Sequence, residues 1–344
     1  MNYNEFAKAF REQIKSYLPA EFKEAEVQTI NVKKNNDVEK EGVSMNYSPG
    51  ISVVFYPEDL YIPYQYGIPF EEIMQKAAKG FLDSIISEEQ VRAMNFKYDA
   101  IKDKLLVAVC NAEKNTELLQ NIPHEIREDL ALIYKVYMGI DDGGGGFITV
   151  NNNMMEMWGI DREDLQKQAW ENMHKRLPYN LRAIENILIE NAMSIENDDK
   201  CKEELRKLAQ RSDLYVLTNE ANMFGASYMF DYELLDKIAR KLGGNFMVIP
   251  SSVHEVLIKK IEADTSFEVV KDTIWKINRE EAMPEEILSD ELYVFDSIEK
   301  KLSIANVQDM IQKEWAYDEE CAEVVEMGDN PDHDGQNFSM GQSF

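Results

Sequence analysis

Apolar side chains recur at four-residue spacing from the start of the chain. Phe6, Phe10 and Ile14, followed by Tyr17 and Leu18, share one face of an expected helix that Pro19 stops. Three strand-like runs come next, EVQTINV, VSMNY and ISVVFY, with turn residues between them at Asn35 and Asn36 and at Pro49 and Gly50. That pattern predicts a small antiparallel meander. Pro69 opens a second helix with Phe70, Ile73, Ala77 and Phe81 on its inner side, and KLLVAVCNA and LALIYKVYMG read as a further pair of strands.

The second half alternates helices and strands. Asp161 is the expected N-cap of a helix carrying Leu165, Ala169, Met173 and Leu177 at spacing four, which Pro178 ends. NLRAIENILIENA is expected to be helical, and the polar run ENDDKCKEELRKLAQRSD to be an internal connection. Then come a strand LYVLTN, a glycine-containing turn with room for a short strand in NEANMFGASYMF, a helix DYELLDKIARKL closed by Gly243, and a strand NFMVIP. A helix from Ser266 to about Glu281 precedes a hairpin of LYVFD and KLSIA. The fold class is therefore α+β: an N-terminal helix with an antiparallel meander, then a second layer with helices on a mixed sheet. A chain of 344 residues exceeds the ~250–300 that one core fills. The expected domains are 1–150 and 151–313, followed by an acidic, disordered tail over 314–344.

Charge narrows the function. The chain carries 64 Asp and Glu against 37 Lys and Arg, a net −27. Without a basic stripe, neither direct nucleic-acid binding nor adhesion to an anionic membrane is expected. Nine of the carboxylates lie after Lys313, where no Lys or Arg remains, so the tail holds a third of the net charge. The N-terminus lacks the pattern of a secretory signal, and no apolar run approaches the ~18 residues a membrane span needs. Cys110, Cys201 and Cys321 are few, distant and odd in number, which argues for a reducing cytoplasm and against a disulfide framework or a zinc site.

Few motifs carry chemistry. Gly143–Gly146 follow Asp141 and Asp142 without the Lys and Ser or Thr of a phosphate loop, so a turn or hinge is favoured. NPDHDG places Asn330, Asp332 and Asp334 like a calcium loop, but Gly341 stands where the bidentate Glu is required. The most site-like segment is PSSVHEVLI. Ser251 or Ser252 could act as nucleophile with His254 as base, or His254 and Glu255 as acid and base. Asn219 and Glu220, at the end of LYVLTN, could converge on it if both strands share a sheet. The favoured alternative is that all six residues are turn and cap material. No cofactor or metal is expected.

The stretch YVLTNEANMFGASYMFDYELLDKIARKLGGNFMVIPSSVHEVLI resembles an uncharacterised bacterial family, domain of unknown function 5688, found in gut Firmicutes and often near mobile elements. MNYNEFAKAF, VKKNND, AWENMHKRLP, LSDELYVFD and DNPDHDGQNFSM fit the same family, so the resemblance covers nearly the whole chain. More distantly, AWENMHKRLP followed by SSVHEVLI resembles a second uncharacterised family common in bacilli. Neither implies an activity, a cofactor or a catalytic residue. The leading expectation is a non-catalytic cytoplasmic binding or accessory protein, associated with a mobile element and taking a basic protein as partner. The alternatives are a hydrolase or transferase using the Ser-Ser-Val-His-Glu segment, and an acidic DNA-mimic inhibitor. The DNA mimic is weakened because −18 spread over 313 residues is sparse beside a duplex with ~1 charge per 1.7 Å.

Overall fold

Asn2 starts the first helix by a reciprocal cap: its side chain accepts from Glu5 N at 3.0 Å while Glu5 Oε2 accepts from Asn2 N at 3.0 Å. This helix, α1 (Tyr3–Gln13), continues into a 3-10 turn, Ile14–Tyr17. Phe6, Phe10, Ile14 and Leu18 are buried, as their spacing predicts. The computed structural model describes residues 1–48, 51–85, 96–138, 146–193, 203, 206–209, 212–262 and 265–306. Its contacts divide the described chain into two units, 1–101 with 137–148, and 102–136 with 149–306. This division and the sequence-based boundary at 150 differ over 102–136. The tail 314–344, Gly143–Gly145, Cys201, Cys321 and most of the polar run 196–213 lie outside the described residues.

In the first unit, β1 (Glu26–Lys33), β2 (Glu39–Ser48) and β3 (Ile51–Phe55) form the expected antiparallel meander in that order. Asn36 and Asp37 take left-handed backbone, φ 60° and 56°, in the turn between β1 and β2. A helix the hydrophobic pattern does not reveal, α2 (Pro57–Gln65), follows, with Pro63 inside it and only Pro57 buried. Then comes α3 (Phe70–Ser84), with Pro69 at its N-cap rather than its first turn. The core joins Phe10, Ile14, Val43, Met45, Phe55 and Phe81.

The second unit holds two sheets. In the smaller, β4 (Leu105–Asn111) and β5 (His124–Arg127) flank β6 (Leu130–Tyr137), and β7 (Phe147–Thr149) also pairs with β6. Every residue of β4 is buried, because the helix α5 (Arg162–Arg176) lies along it and a 3-10 turn, Gly225–Phe230, packs on it as well. That packing is why 102–136 belongs with the later strands. Besides a one-turn helix at Thr116–Leu119, this unit also holds α4 (Asn152–Trp158), α6 (Ile184–Met193), α7 (Tyr232–Leu242) and α8 (Phe267–Glu280).

The larger sheet runs β13-β12-β10-β11-β9-β8, with β8 (Tyr179–Ala183), β9 (Leu214–Asn219), β10 (Phe246–Ser252), β11 (Glu255–Lys260), β12 (Tyr293–Asp296) and β13 (Lys301–Ile304). All its neighbours are antiparallel, which corrects the expected mixed sheet. β9 and β10 do run parallel across the crossover through α7, but the hairpin strand β11 inserts between them. Two further expectations change. Residues 180–183, expected to be helical, belong with Tyr179 to β8 because β9 offers them an edge, with Leu181 opposite Leu217. The stretch 225–230 contains no strand and is wholly buried. Asp129, in the turn between β5 and β6, accepts from Ser289 Oγ at 2.6 Å and from Tyr293 Oη, and both donors are fully buried.

Candidate functional site

The segment 250–255 is a β-hairpin. The register slips between Pro250 and Ser252, Val253 and His254 make the turn, and Ser252 stands opposite Glu255. Its polar groups serve the turn. Ser251 Oγ donates to Glu255 Oε1 at 3.3 Å, and Ser252 Oγ accepts from His254 N at 3.1 Å. His254 Nδ1 accepts from Phe224 N at 3.3 Å, which assigns the proton of the uncharged ring to Nε2. No hydrogen bond joins the imidazole of His254 to a serine hydroxyl among the described residues.

The end of β9 does meet this hairpin, though through other residues than Asn219 and Glu220. Thr218 Oγ1 donates to His254 O at 2.9 Å, and the rings of Phe224 and His254 lie 6.0 Å apart. Asn219 is buried and closes its own loop: Oδ1 accepts from Ala221 N at 3.1 Å and Met223 N at 3.2 Å, and Nδ2 donates to Met223 O at 2.7 Å. Glu220 is exposed. The loop stores strain, since Asn222 and Phe224 have φ of 49° and 54°, and left-handed backbone at a bulky residue costs on the order of 1–3 kcal/mol. Asn151 likewise caps α4, accepting from Met154 N at 2.9 Å.

A second constellation was not singled out from the sequence. Gln166, Trp170 and His174 succeed each other at spacing four on α5, one position beyond the apolar stripe Leu165, Ala169, Met173. Gln166 Nε2 donates to Glu125 Oε2 at 2.9 Å, and Glu125 Oε1 pairs with Arg127 Nη2 at 2.5 Å. The Arg127 guanidinium stands 5.8 Å from the ring of Tyr232. Asp231, the N-cap of α7, accepts from Leu234 N at 3.0 Å and from His174 Nε2 at 2.7 Å. Trp170 and Tyr228 lie 5.7 and 6.4 Å from the His174 ring. The contacts form two clusters along this face of α5, one around Glu125 and Arg127 and one around His174 and Asp231.

The hydrogen bond to Asp231 raises the His174 pKa above its ordinary 6.5, against burial and with help from the charges of Asp231 and Glu233, while Lys237 opposes. For Asp231 burial works upward, but the bonds from His174 and Leu234 outweigh it and hold the carboxyl below its ordinary 3.8. The stabilisation linked to His174 is then fully present below its unfolded pKa and lost as pH rises through the raised folded value. With His174 half exposed, the pair contributes about 0.5 kcal/mol after screening. Melting temperatures of wild type and His174→Gln should differ at pH 5.5 and converge above pH 8. A gap unchanged across that range would mean that the ion pair contributes nothing.

Two other features bear on chemistry. Lys135 Nζ donates to Thr149 Oγ1 at 2.7 Å, burial lowers its pKa, and burial pushes the nearby Cys110 thiol up to about 12. Among the described residues no group of three or more His, Cys, Asp or Glu is arranged to hold a metal ion, and no helix is long and apolar enough to cross a membrane.

In the first unit, tyrosines gather around α2. Tyr61 lies 5.6 Å from Tyr3 and stacks on Tyr64 at 5.8 Å, while Tyr66 is 86% exposed and Ile62 39%. Burial raises the Tyr3 phenol, and the charges of Glu41, Glu58 and Asp59 raise it further. At the N-cap of α2, Lys34 Nζ sits 3.8 Å over the Tyr56 ring. Aromatic faces set among carboxylates suit a cation.

A model of a family of unknown function (DUF5688) matches residues 3–297. No curated protein and no solved structure matches the chain.

Proposed function

The chain belongs to the DUF5688 family, and on that premise we propose that it is a non-catalytic binding protein whose first unit takes a basic protein partner. The observation that carries this reading is the cluster of Tyr3, Tyr61 and Tyr64, with Glu41, Glu58 and Asp59 close enough for their charges to act on Tyr3, and with the exposed Tyr66 at the C-terminal end of α2. Tyrosine is enriched in protein interfaces, and carboxylates steer a cationic partner toward it. The net charge of −27 supports the same sign of partner. The reading extends to a cytoplasmic setting, which the three widely spaced cysteines support. It extends also to accessory work for a mobile element of gut Firmicutes, which the resemblance of residues 215–258 supports.

The test is titration of a 12-residue arginine-rich peptide into wild type, Tyr66→Ala and Tyr61→Ala at two salt concentrations. Saturable binding should weaken with salt and fall about twofold to fivefold in each variant, as expected for loss of ~0.5–1 kcal/mol of cation–π and contact energy. Binding that is equal in all three proteins would reduce the effect to unspecific charge attraction and sink the proposal.

A further inference from the structure

The smaller sheet of the second unit presents hydrogen-bond donors that nothing among the described residues satisfies. Tyr134, on β6, is fully buried, and its Oη has no hydrogen-bond partner among them. Arg127 Nε, on β5, is also buried and unpartnered. The two lie on one face of the sheet. Arg127 stands opposite Leu130 and Glu125 opposite Leu132, and Leu130, Leu132 and Tyr134 alternate along β6. α5 covers this face, bringing Arg162 in its first turn close enough for its charge, with those of Glu125 and Arg127, to act on the Tyr134 phenol.

Donors outnumber acceptors at this place. Among the described residues the acceptor in contact is the Glu125 carboxylate, whose oxygens take Arg127 Nη2 and Gln166 Nε2. That leaves Arg127 Nε, Tyr134 Oη and the Arg162 guanidinium unanswered by any oxygen among the described residues. An unmade hydrogen bond at a buried donor is costly, and in native proteins such groups are rare unless they serve a partner. Two guanidinium groups and a phenol, with both arginine charges close enough to act on Tyr134, complement an oxyanion, because the arginine fork matches the oxygens of phosphate or carboxylate. In a chain of net −27, general electrostatics disfavours an anion, so a local excess of donors is the more specific signal. Trp170 and Tyr232 flank the place through their contacts with His174 and Arg127, offering aromatic faces to whatever carries the anionic group.

We propose that Arg127, Tyr134 and Arg162 form an oxyanion-binding site for a small ligand bearing a phosphate or carboxylate group. This goes beyond the partner surface of the first unit and is independent of it. The donors lie between β5, β6 and α5, so the ligand enters beside the exposed Arg162.

Calorimetric titration with inorganic phosphate and, separately, with acetate distinguishes the two sources of the oxyanion. One of the two should bind saturably. Arg127→Gln should weaken that binding at least tenfold, and Arg162→Gln, at an exposed position, about threefold to tenfold. Tyr134→Phe provides a readout that a purely structural hydroxyl would not give. It should weaken anion binding severalfold while raising the melting temperature of the anion-free protein by a few degrees, because it removes a buried hydroxyl that has no partner. Absence of saturable binding for both anions overturns the proposal. So does binding that is unchanged in Arg127→Gln and Arg162→Gln, or a Tyr134→Phe protein that melts lower than wild type and binds equally well.

Discussion

Gly225→Ala should lower the melting temperature of the second unit by about 10 °C, corresponding to roughly 3 kcal/mol for a unit of this size. Gly225 opens the buried 3-10 turn that packs on β4, β9 and β11. A Cβ added there would stand 2.5 Å from His254 O, 2.6 Å from Thr218 Oγ1 and 2.7 Å from Thr218 Cα. Two of those three atoms are backbone, one in the paired strand β9 and one in the hairpin turn, and cannot turn aside as a side-chain tip would. Relief would have to come from lifting the hairpin tip, which breaks the bond from Thr218 Oγ1 to His254 O. Thermal unfolding followed by circular dichroism reads the effect. An alanine variant that melts within 2 °C of wild type would show that residue 225 is not pressed against the hairpin.

Phe81→Ala should destabilise the first unit by about 3–5 kcal/mol, the usual range for emptying a buried aromatic site. Phe81 is fully buried, and its ring lies 5.2 Å from Phe22, 5.7 Å from Tyr47 and 6.1 Å from Phe55. These rings come from a 3-10 turn at Ala20–Phe22, β2, β3 and α3, so the cavity would open where turn, sheet and helix meet. Collapse to fill it would require all of those elements to shift together. Urea titration with Phe81→Leu as the milder companion separates volume from shape. Leucine should cost about 1–1.5 kcal/mol. A loss below 1 kcal/mol for alanine would mean that the aromatic cluster is not the core.

The elements legible in the sequence are those whose local signals agree with their tertiary use. α3, α5, α7 and α8 each carry an apolar stripe and a stop or cap, and Asp161 and Ser266 cap as expected, accepting from Asp164 N at 2.9 Å and Val269 N at 3.4 Å. The apolar runs of β4, β6, β9 and β10 were visible because burial on both faces leaves little room for polar residues. α2 was hidden because it buries only Pro57, so no periodicity marks it. β8 was hidden because Leu181 and Ala183 fit a helical reading until β9 supplies an edge. Whether the segments near 219 and 251 meet is open in the sequence, a possibility if both strands share a sheet, and which atoms touch depends on a one-residue slip at Ser251 that no local pattern announces. Arg127, Tyr134 and Arg162 look ordinary one by one. Strand register and the placement of α5 make neighbours of them. The single clue was the stripe Gln166, Trp170, His174, polar and aromatic at the spacing of a packed helix face.

The insertion of β11 between β9 and β10 also sets an order of assembly on a growing chain. β9 is complete at Asn219 and β10 at Ser252, yet neither has its shared neighbour until Lys260 has been made. A chain halted after Ser252 would present the inner edge of β9 and both edges of β10, since β12 is made later still. Such edges pair readily with other chains. The six residues Glu255–Lys260 are thus the piece whose arrival joins β9 and β10 into one sheet, and nascent chains ending just before them should be the ones that aggregate.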